Sequence, residues 1–136
     1  MRIGIPREIR KGERRVAATP DVASEIQKLG FSVAVETGAG LDASFDDSAY
    51  RGAGAEVVTD REALWTQSDI IIKVRAPEGD EVELLRSDQV LIAFLWPAQN
   101  PQLLDDLAAK GVTALAMDSL PRISRAQKMD ALSSMA

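Results

Sequence analysis

The sequence of 136 residues contains no cysteine and no histidine, and aromatic residues make up only 4% of it. The absence of cysteine excludes disulfide bonds, thiolate metal sites and thiol nucleophiles. The absence of histidine removes the side chain that most often acts as a general acid or base near neutral pH and as a metal ligand. Proton transfer would therefore depend on carboxylates, lysines, Tyr50 or a cofactor, and no metal site is expected.

Positive charge is also scarce, because 16 lysine and arginine residues stand against 21 aspartate and glutamate residues, which gives a formal net charge of −5. Nucleic acid is not an expected partner, since binding to a phosphate backbone needs a basic patch. No apolar run approaches the roughly 18 residues of a membrane span. The N-terminus does not resemble a signal peptide. The sequence therefore indicates a cytoplasmic domain.

The pattern of apolar segments predicts an α/β fold. Residues 69–75 and 89–96 are nearly continuous apolar runs, as expected for parallel strands that are covered on both faces. Helical patterns lie between the strand-like segments, and the clearest begins with Thr19 as N-cap and Pro20 in the first turn. We predict a three-layer domain with a mostly parallel sheet of five or six strands. It is similar to flavodoxin-like and Rossmann folds, but no G-x-G-x-x-G dinucleotide-binding loop occurs.

Two charged segments interrupt this pattern. Residues 7–15 are interpreted mainly as a solvated surface turn, and the acidic connection 77–88 is also expected at the surface. Arg15 is the exception, because it stands directly before the apolar segment 16–20, where the resemblance described below implies a binding role. Arg15 is therefore a candidate pocket residue.

Lys73 lies inside the apolar run 69–75. Burying a lysine in such a strand is costly unless the ammonium group is paired or the residue lies at the end of the strand. Lys73 is therefore a second candidate pocket residue. The alternative is that its aliphatic stem follows the sheet and its ammonium group reaches solvent at the edge.

The C-terminal run 117–136 allows two interpretations. Ser124 and Gln127 have the spacing of a capping box at the start of a helix. Three apolar side chains would then share one face of that helix: Met129, Leu132 and Met135. Alternatively, the polar side chains of this run form a ligand site, because open α/β sheets bind ligands beyond the carboxyl ends of their strands. Spacing alone leaves both interpretations open.

Residues 121–134, Pro-Arg-Ile-Ser-Arg-Ala-Gln-Lys-Met-Asp-Ala-Leu-Ser-Ser, resemble the signature loop of the NAD-binding alpha subunit of proton-translocating NAD(P) transhydrogenases. Residues 1–8 and 13–20 resemble the start that this family shares with alanine dehydrogenases. The resemblance implies that residues 1–136 are an N-terminal domain of this type, which a NAD-binding Rossmann domain would follow. It also implies that four side chains reach the nicotinamide end of NAD(H): Arg122, Gln127, Asp130 and Ser133.

The transhydrogenase branch fits better than the alanine dehydrogenase branch. Alanine dehydrogenases carry a catalytic histidine where Trp96 stands, and the arginine that matches Arg15 holds their substrate carboxylate. The resemblance implies direct hydride transfer between NAD(H) and NADP(H), so that the chemistry belongs to the cofactors and no acid or base residue is required. It further implies a homodimer, an NADP(H)-binding partner component, a membrane-embedded proton channel, and a place on the cytoplasmic side of the inner membrane.

Two other functions are weighed against this one. The first is a non-enzymatic anion-sensing or dimerisation module, with Arg15, Lys73 and Arg122 as its pocket. The second is an alanine dehydrogenase, which the absence of histidine disfavours. Because the Gly-rich helix N-terminus that binds pyrophosphate is missing, we also expect the chain by itself to bind NAD weakly and to show no turnover.

Overall fold

The computed structural model describes residues 1–119 of the chain. Strands and helices alternate along these residues. The strands are β1 (Arg2–Ile5), β2 (Ser32–Glu36), β3 (Glu56–Val58), β4 (Ile70–Arg75), β5 (Val90–Phe94) and β6 (Thr113–Ala116). The α-helices are α1 (Pro20–Lys28), α2 (Asp47–Gly52), α3 (Arg61–Gln67), α4 (Glu81–Leu84) and α5 (Pro101–Ala109). Two short 3-10 helices cover Leu41–Ala43 and Met117–Ser119.

The six strands form one sheet in the order β3-β2-β1-β4-β5-β6, and every neighbouring pair is parallel. The chain builds the sheet outward from β1 to β3, returns to place β4 beside β1, and then builds outward again. This is the Rossmann strand order, in which ligands bind where the direction of building reverses. The predicted α/β fold with a mostly parallel sheet of five or six strands is confirmed.

Two apolar layers cover the faces of the sheet. On one face, Ala23 and Ile26 of α1 and Tyr50 of α2 pack with side chains of β1 and β2. On the other face, α3 and α5 pack against β4 and β5, with Leu64, Trp65 and Leu107 buried. The three-layer arrangement follows from the near-continuous apolar composition of the strands, since a strand in the middle of a parallel sheet must bury both of its faces.

Local signals in the sequence fix the start of helix α1. The Thr19 hydroxyl accepts a hydrogen bond from the backbone N–H of Val22 at 3.3 Å, and Pro20 occupies the first turn, where its missing N–H is not needed. Gly30 follows the helix with φ +100°, a conformation that glycine adopts without steric cost. The predicted beginning and end of this helix are confirmed.

The two charged segments are less exposed than the sequence suggests. The Glu8 side chain is 2% exposed and the Glu13 side chain 3% exposed, so the interpretation of residues 7–15 as a solvated turn is wrong for both carboxylates. In the acidic connection, Glu81 and Leu85 are buried, so the expected surface position is wrong for them. The carboxylates turn inward because cations meet them, Lys73 at Glu8 and Glu81 and two arginines at Glu13, and Leu85 packs in an apolar cluster. No helix within residues 1–119 is long and apolar enough to cross a membrane.

Candidate functional site

A crevice opens at the carboxyl ends of β1, β4 and β5. Pairing between β1 and β4 ends at Gly4 and Ile71, although β4 continues to Arg75, so the two strands separate at this edge of the sheet. Two adjoining cavities of about 100 Å³ and 240 Å³ occupy the crevice. Side chains that line them include Arg15, Val74, Arg75, Phe94 and Trp96. The larger cavity exceeds the roughly 150 Å³ that holds a benzene ring.

A buried ion pair lies at the point where β1 and β4 separate. The Lys73 Nζ atom lies 3.0 Å from Glu8 Oε1 and donates a second hydrogen bond to the carbonyl of Arg75 at 2.7 Å. The same carboxylate accepts hydrogen bonds from the backbone N–H groups of Val74 and Arg75, at 2.8 and 3.1 Å. Glu8 therefore pairs a lysine and also satisfies the backbone donors that β4 exposes where its partner strand has left it.

Glu81 of α4 is a second carboxyl group beside Lys73. Its Oε1 atom lies 3.5 Å from Lys73 Nζ and accepts a hydrogen bond from the backbone N–H of Glu78 at 3.0 Å. Its Oε2 atom is buried with no hydrogen-bond partner within the described part of the chain. Burial raises the pKa of the Glu81 carboxyl, and the nearby Lys73 ammonium offsets part of that rise. The fold therefore stabilises the neutral form of this carboxyl relative to a glutamate in water.

A second carboxylate, Glu13, holds two arginines at the crevice. It accepts hydrogen bonds from Arg15 Nη2 at 2.8 Å and Arg15 Nε at 3.0 Å, and from Arg75 Nε at 2.8 Å. The hydrogen bonds from the Arg15 side chain hold the pKa of the Glu13 carboxyl well below its usual range. Such charge-assisted, bidentate contacts fix the planes of the guanidinium groups. Both arginines thus line the crevice in set orientations.

The crevice combines fixed cationic donors with an aromatic wall. Phe94 and Trp96 stack with their ring centroids 6.4 Å apart and an interplanar angle of 24°. The sequence offers no imidazole, and the two glutamates nearest the crevice, Glu8 and Glu13, are held in ion pairs. Among the residues that line the described cavities, the arrangement supplies guanidinium donors and aromatic faces that can bind and orient a flat polar ring.

Two groups that bind a dinucleotide in Rossmann folds have other partners here: the N-terminus of the first helix and the carboxylate at the end of β2. At the N-terminus of α1, the Thr19 hydroxyl accepts a hydrogen bond from the N–H of Val22, and Pro20 has no N–H that could donate to a phosphate. At the end of β2, where such folds often carry a carboxylate for ribose, Glu36 instead accepts the N–H of Arg7 at 2.9 Å. Burial raises the pKa of the Glu36 carboxyl. The hydroxyl of Thr19 and the carboxylate of Glu36 thus already have backbone partners within the domain.

The structure separates the two candidate pocket residues. Arg15 lines both cavities, whereas Lys73 is 2% exposed and belongs to the buried cluster with Glu8 and Glu81. The alternative in which Lys73 reaches solvent at the edge of the sheet is therefore wrong. Four candidate cofactor-binding residues lie outside the described residues: Arg122, Gln127, Asp130 and Ser133.

Sequence reasoning missed Arg75 and Glu13. The spacing of Arg75 two residues after Lys73 suggests the same face of β4 for both, but the register between β4 and β5 shifts between Ile72 and Arg75. Such irregularities re-aim side chains at the ends of strands. A signal for Glu13 exists in the Glu-x-Arg spacing to Arg15.

Within residues 1–119, no group of three or more carboxylates is arranged to hold a metal ion.

Comparison with known proteins gives a consistent result. The family model described as "Alanine dehydrogenase/PNT, N-terminal domain" matches residues 4–136. The NAD(P) transhydrogenase subunit alpha of Cereibacter sphaeroides is 59% identical over the whole chain, which covers 26% of that relative. The corresponding subunit of Haemophilus influenzae is 53% identical, again with 100% of this chain and 26% of the relative covered.

A solved structure, the transhydrogenase from Sinorhizobium meliloti, superposes with a TM-score of 0.89 and 40% identity, and the match covers 98% of this chain and 40% of that one. The chain spans about a quarter of the length of the curated relatives described above, at 26% of each. The family model covers nearly all of the sequence, and the two curated relatives described above are transhydrogenase alpha subunits. The chain belongs to the alanine dehydrogenase/PNT N-terminal domain family, as its sequence predicts.

Proposed function

We propose that this domain is part of the NAD(H)-binding component of a proton-translocating transhydrogenase and that it positions the nicotinamide for direct hydride transfer between NAD(H) and NADP(H). One observation carries the proposal: the crevice at the switch point offers oriented guanidinium groups and an aromatic wall. Transfer of a hydride between two nicotinamide rings requires no proton from the protein. A site of this kind needs to bind and orient, which can supply a large part of a rate enhancement.

Different residues of the chain would have different roles in binding and orienting NAD(H). Arg15 and Arg75 supply donors at the crevice, and Glu13 keeps them in place. Arg122 and Gln127 would orient the carboxamide and ribose of NAD(H), Asp130 would accept a hydrogen bond, and Ser133 would support them. These are the four residues outside the described part of the chain. NAD itself supplies the hydride chemistry when it is bound.

The pyrophosphate and adenosine of NAD would be held by a second, Rossmann-type domain. The occupied N-terminus of α1 supports this division, because Thr19 and Pro20 leave few backbone donors for a phosphate. The greater length of the relatives also supports it, since this chain covers 26% of each. We propose a homodimer that works on the cytoplasmic side of the inner membrane with an NADP(H)-binding component and a membrane-embedded proton channel.

Neither alternative is favoured. An anion-sensing module would use Arg15, Lys73 and Arg122 together, but Lys73 is buried against Glu8 and Glu81. An alanine dehydrogenase would need a proton donor at the position of Trp96, and an indole ring cannot supply one at neutral pH.

The test is stopped-flow hydride transfer from NADH to an NADP analogue, with the complete NAD(H)-binding component and its NADP(H)-binding partner. The variant is Gln127→Asn, and the matched control is Gln102→Asn, which changes an exposed glutamine of α5 in the same way. We expect Gln127→Asn to slow transfer about tenfold or more with NADH affinity changed less than about twofold. An unchanged rate would return Gln127 to its capping-box interpretation.

A second measurement separates the domain from the whole component. In isothermal titration, we expect residues 1–136 alone to bind NADH with a dissociation constant well above the micromolar range. Micromolar binding by this chain would contradict the proposed division of the dinucleotide between two domains.

A further inference from the structure

The carboxylate of Asp118 accepts two hydrogen bonds from the turn that follows β5. Its Oδ1 atom accepts a hydrogen bond from the backbone N–H of Leu95, and its Oδ2 atom accepts one from the N–H of Trp96, each at 2.9 Å. Asp118 lies just after β6, so the two bonds join the carboxyl ends of two neighbouring strands. Bonds from a carboxylate to two successive backbone donors are among the stronger hydrogen bonds in proteins.

Asn100 holds the same turn from its carbonyl side. Its Nδ2 atom donates to the carbonyl of Leu95 at 2.8 Å and to the carbonyl of Trp96 at 3.3 Å. Trp96 has φ +48°, a left-handed conformation that is strained for a side chain as large as an indole. Such a conformation costs about 1–3 kcal/mol and persists only where the surroundings fix it. Asp118 and Asn100 together provide that constraint.

The constrained turn sets the direction of the Trp96 side chain. The indole stacks on Phe94, lines the smaller cavity together with Arg15 and Arg75, and remains 49% exposed. A third space of about 330 Å³ shares Trp96 with it and is also lined by Pro97 and Asp118. The indole therefore forms a wall at the mouth of the crevice.

We propose that Asp118 is a positioning residue for hydride transfer and that it acts through Trp96. By fixing the turn, Asp118 holds the indole as an apolar wall beside the arginine donors, where it keeps water from the nicotinamide end of the cofactor. The inference rests on the proposed function, because it deepens the role of the same crevice. A wall without proton-transferring groups suits hydride transfer, and a displacement of about 1 Å in such a support can cost about a hundredfold in rate.

The chain provides its own optical reporter for this test. It has two tryptophans, and Trp65 is fully buried with an Nε1 atom that has no hydrogen-bond partner in the described residues. Trp65→Phe removes that unpaired donor and leaves Trp96 as the one tryptophan of residues 1–136, so that a difference in quenching between variants at position 118 reports on Trp96. All rate and quenching measurements are made in this background, on the complete NAD(H)-binding component with its NADP(H)-binding partner.

Asp118→Asn is the informative variant. An asparagine offers one acceptor oxygen, and its amide nitrogen is a donor that cannot accept from the second backbone N–H. Asp118→Glu retains both acceptor oxygens and serves as the conservative variant. Asp105→Asn, on the exposed surface of α5, makes the same chemical change away from the crevice and serves as the control.

We expect Asp118→Asn to slow single-turnover hydride transfer about tenfold or more while NADH affinity stays within about twofold. Iodide should quench the Trp96 fluorescence more strongly in this variant. Asp118→Glu should recover most of the rate, and Asp105→Asn should match the background. Because Asp118 is proposed to act through the indole, Asp118→Asn combined with Trp96→Leu should be no slower than the slower single variant.

Three results would overturn the inference. A background protein that transfers hydride, with Asp118→Asn within about twofold of it, would refute the positioning role alone and leave the proposed function standing. A slower Asp118→Asn with unchanged quenching, or with effects that multiply those of Trp96→Leu, would refute the route through the indole. A background protein with no hydride transfer at all would refute the proposed function and this inference together.

Discussion

The Glu8 carboxylate and the Lys73 ammonium group meet 3.0 Å apart at the carboxyl edge of the sheet, with their side chains 2% and 1% exposed. A buried ion pair gains little over an apolar pair, but removing one partner leaves an uncompensated charge in the interior. Glu8 has a further task, because it also satisfies the backbone N–H groups of Val74 and Arg75. The pair therefore shapes the place where β1 and β4 separate and the crevice begins.

Glu8→Gln should destabilise the protein strongly. The amide would lose the charge that compensates Lys73 and would bring N–H donors towards the backbone donors of Val74 and Arg75. We expect the free energy of unfolding, measured with urea, to fall by about 3 kcal/mol. Glu25→Gln is the control, because Glu25 pairs with Lys28 on the surface and both side chains are more than half exposed. It should cost less than about 0.5 kcal/mol, and equal losses in the two variants would contradict the buried role of Glu8.

Glu81→Gln should make stability less sensitive to pH. Burial raises the folded-state pKa of Glu81 above its ordinary value of 4.5, so the folded protein binds this proton more tightly than the unfolded chain. Wild-type stability should therefore fall as pH rises from about 4.5 through the folded pKa, by at most about 1.4 kcal/mol per pH unit for one proton. Glutamine cannot ionise, so the unfolding free energy of the variant minus that of wild type should rise across that window and stay constant above it.

The measurement is the difference in unfolding free energy between Glu81→Gln and wild type from about pH 4 to about pH 8. Groups facing Glu81 include Lys73, Glu8 and Arg61, and all three are retained in the variant. The lowered pKa of Glu13 removes stability from both proteins as pH falls, and it cancels in the difference. A difference that does not change with pH would show that Glu81 titrates as it does in the unfolded chain.

Gly4→Ala should disrupt the contact between β1 and the end of α3. A Cβ atom at position 4 would overlap Ser68 Oγ and would lie 2.8 Å from Ser68 Cβ. We expect a loss of about 2 kcal/mol, of which Ser68→Gly in the same protein should restore about half. Gly52→Ala is the matched control, since its Cβ would meet open space in α2 and should raise stability by up to about 1 kcal/mol. Thermal melts of the four proteins would decide, and a loss that Ser68→Gly does not relieve would place the strain elsewhere.

Much of the fold could be predicted because its signals are local. The apolar runs 69–75 and 89–96 contain β4 and β5, and Thr19 with Pro20 fixes the start of α1. Each of these depends on residues within a few positions of one another. The order of the strands could not be predicted in the same way, because it depends on which edge of β1 the chain returns to after β3.

The site was harder to predict because its contacts join distant parts of the chain. Glu8 and Lys73 are 65 residues apart, and Glu13 and Arg75 are 62 apart. In the sequence, both glutamates look like members of a solvated charged turn, and only the folded β4 brings Lys73 to Glu8 and Arg75 to Glu13. Asp118 carried no recognisable motif, since its two bonds depend on the turn at Leu95 and Trp96, 23 and 22 residues earlier.

Tyr50 gives a direct optical test of the core beneath α1 and α2. Its side chain is fully buried, and its hydroxyl donates to the carbonyl of Ala18 at 2.7 Å. Burial raises the pKa of Tyr50 to about 12 from an ordinary value of 10.0, and it is the single tyrosine of the chain. Ultraviolet absorbance of tyrosinate should therefore titrate near pH 12 in the folded protein and near pH 10 in urea. The folded state holds this proton more tightly than the unfolded chain. The stability that the proton contributes should therefore be lost as pH rises from about 10 to about 12. Tyr50→Phe should lack that component of the loss, and a native titration near pH 10 would contradict the buried position of the hydroxyl.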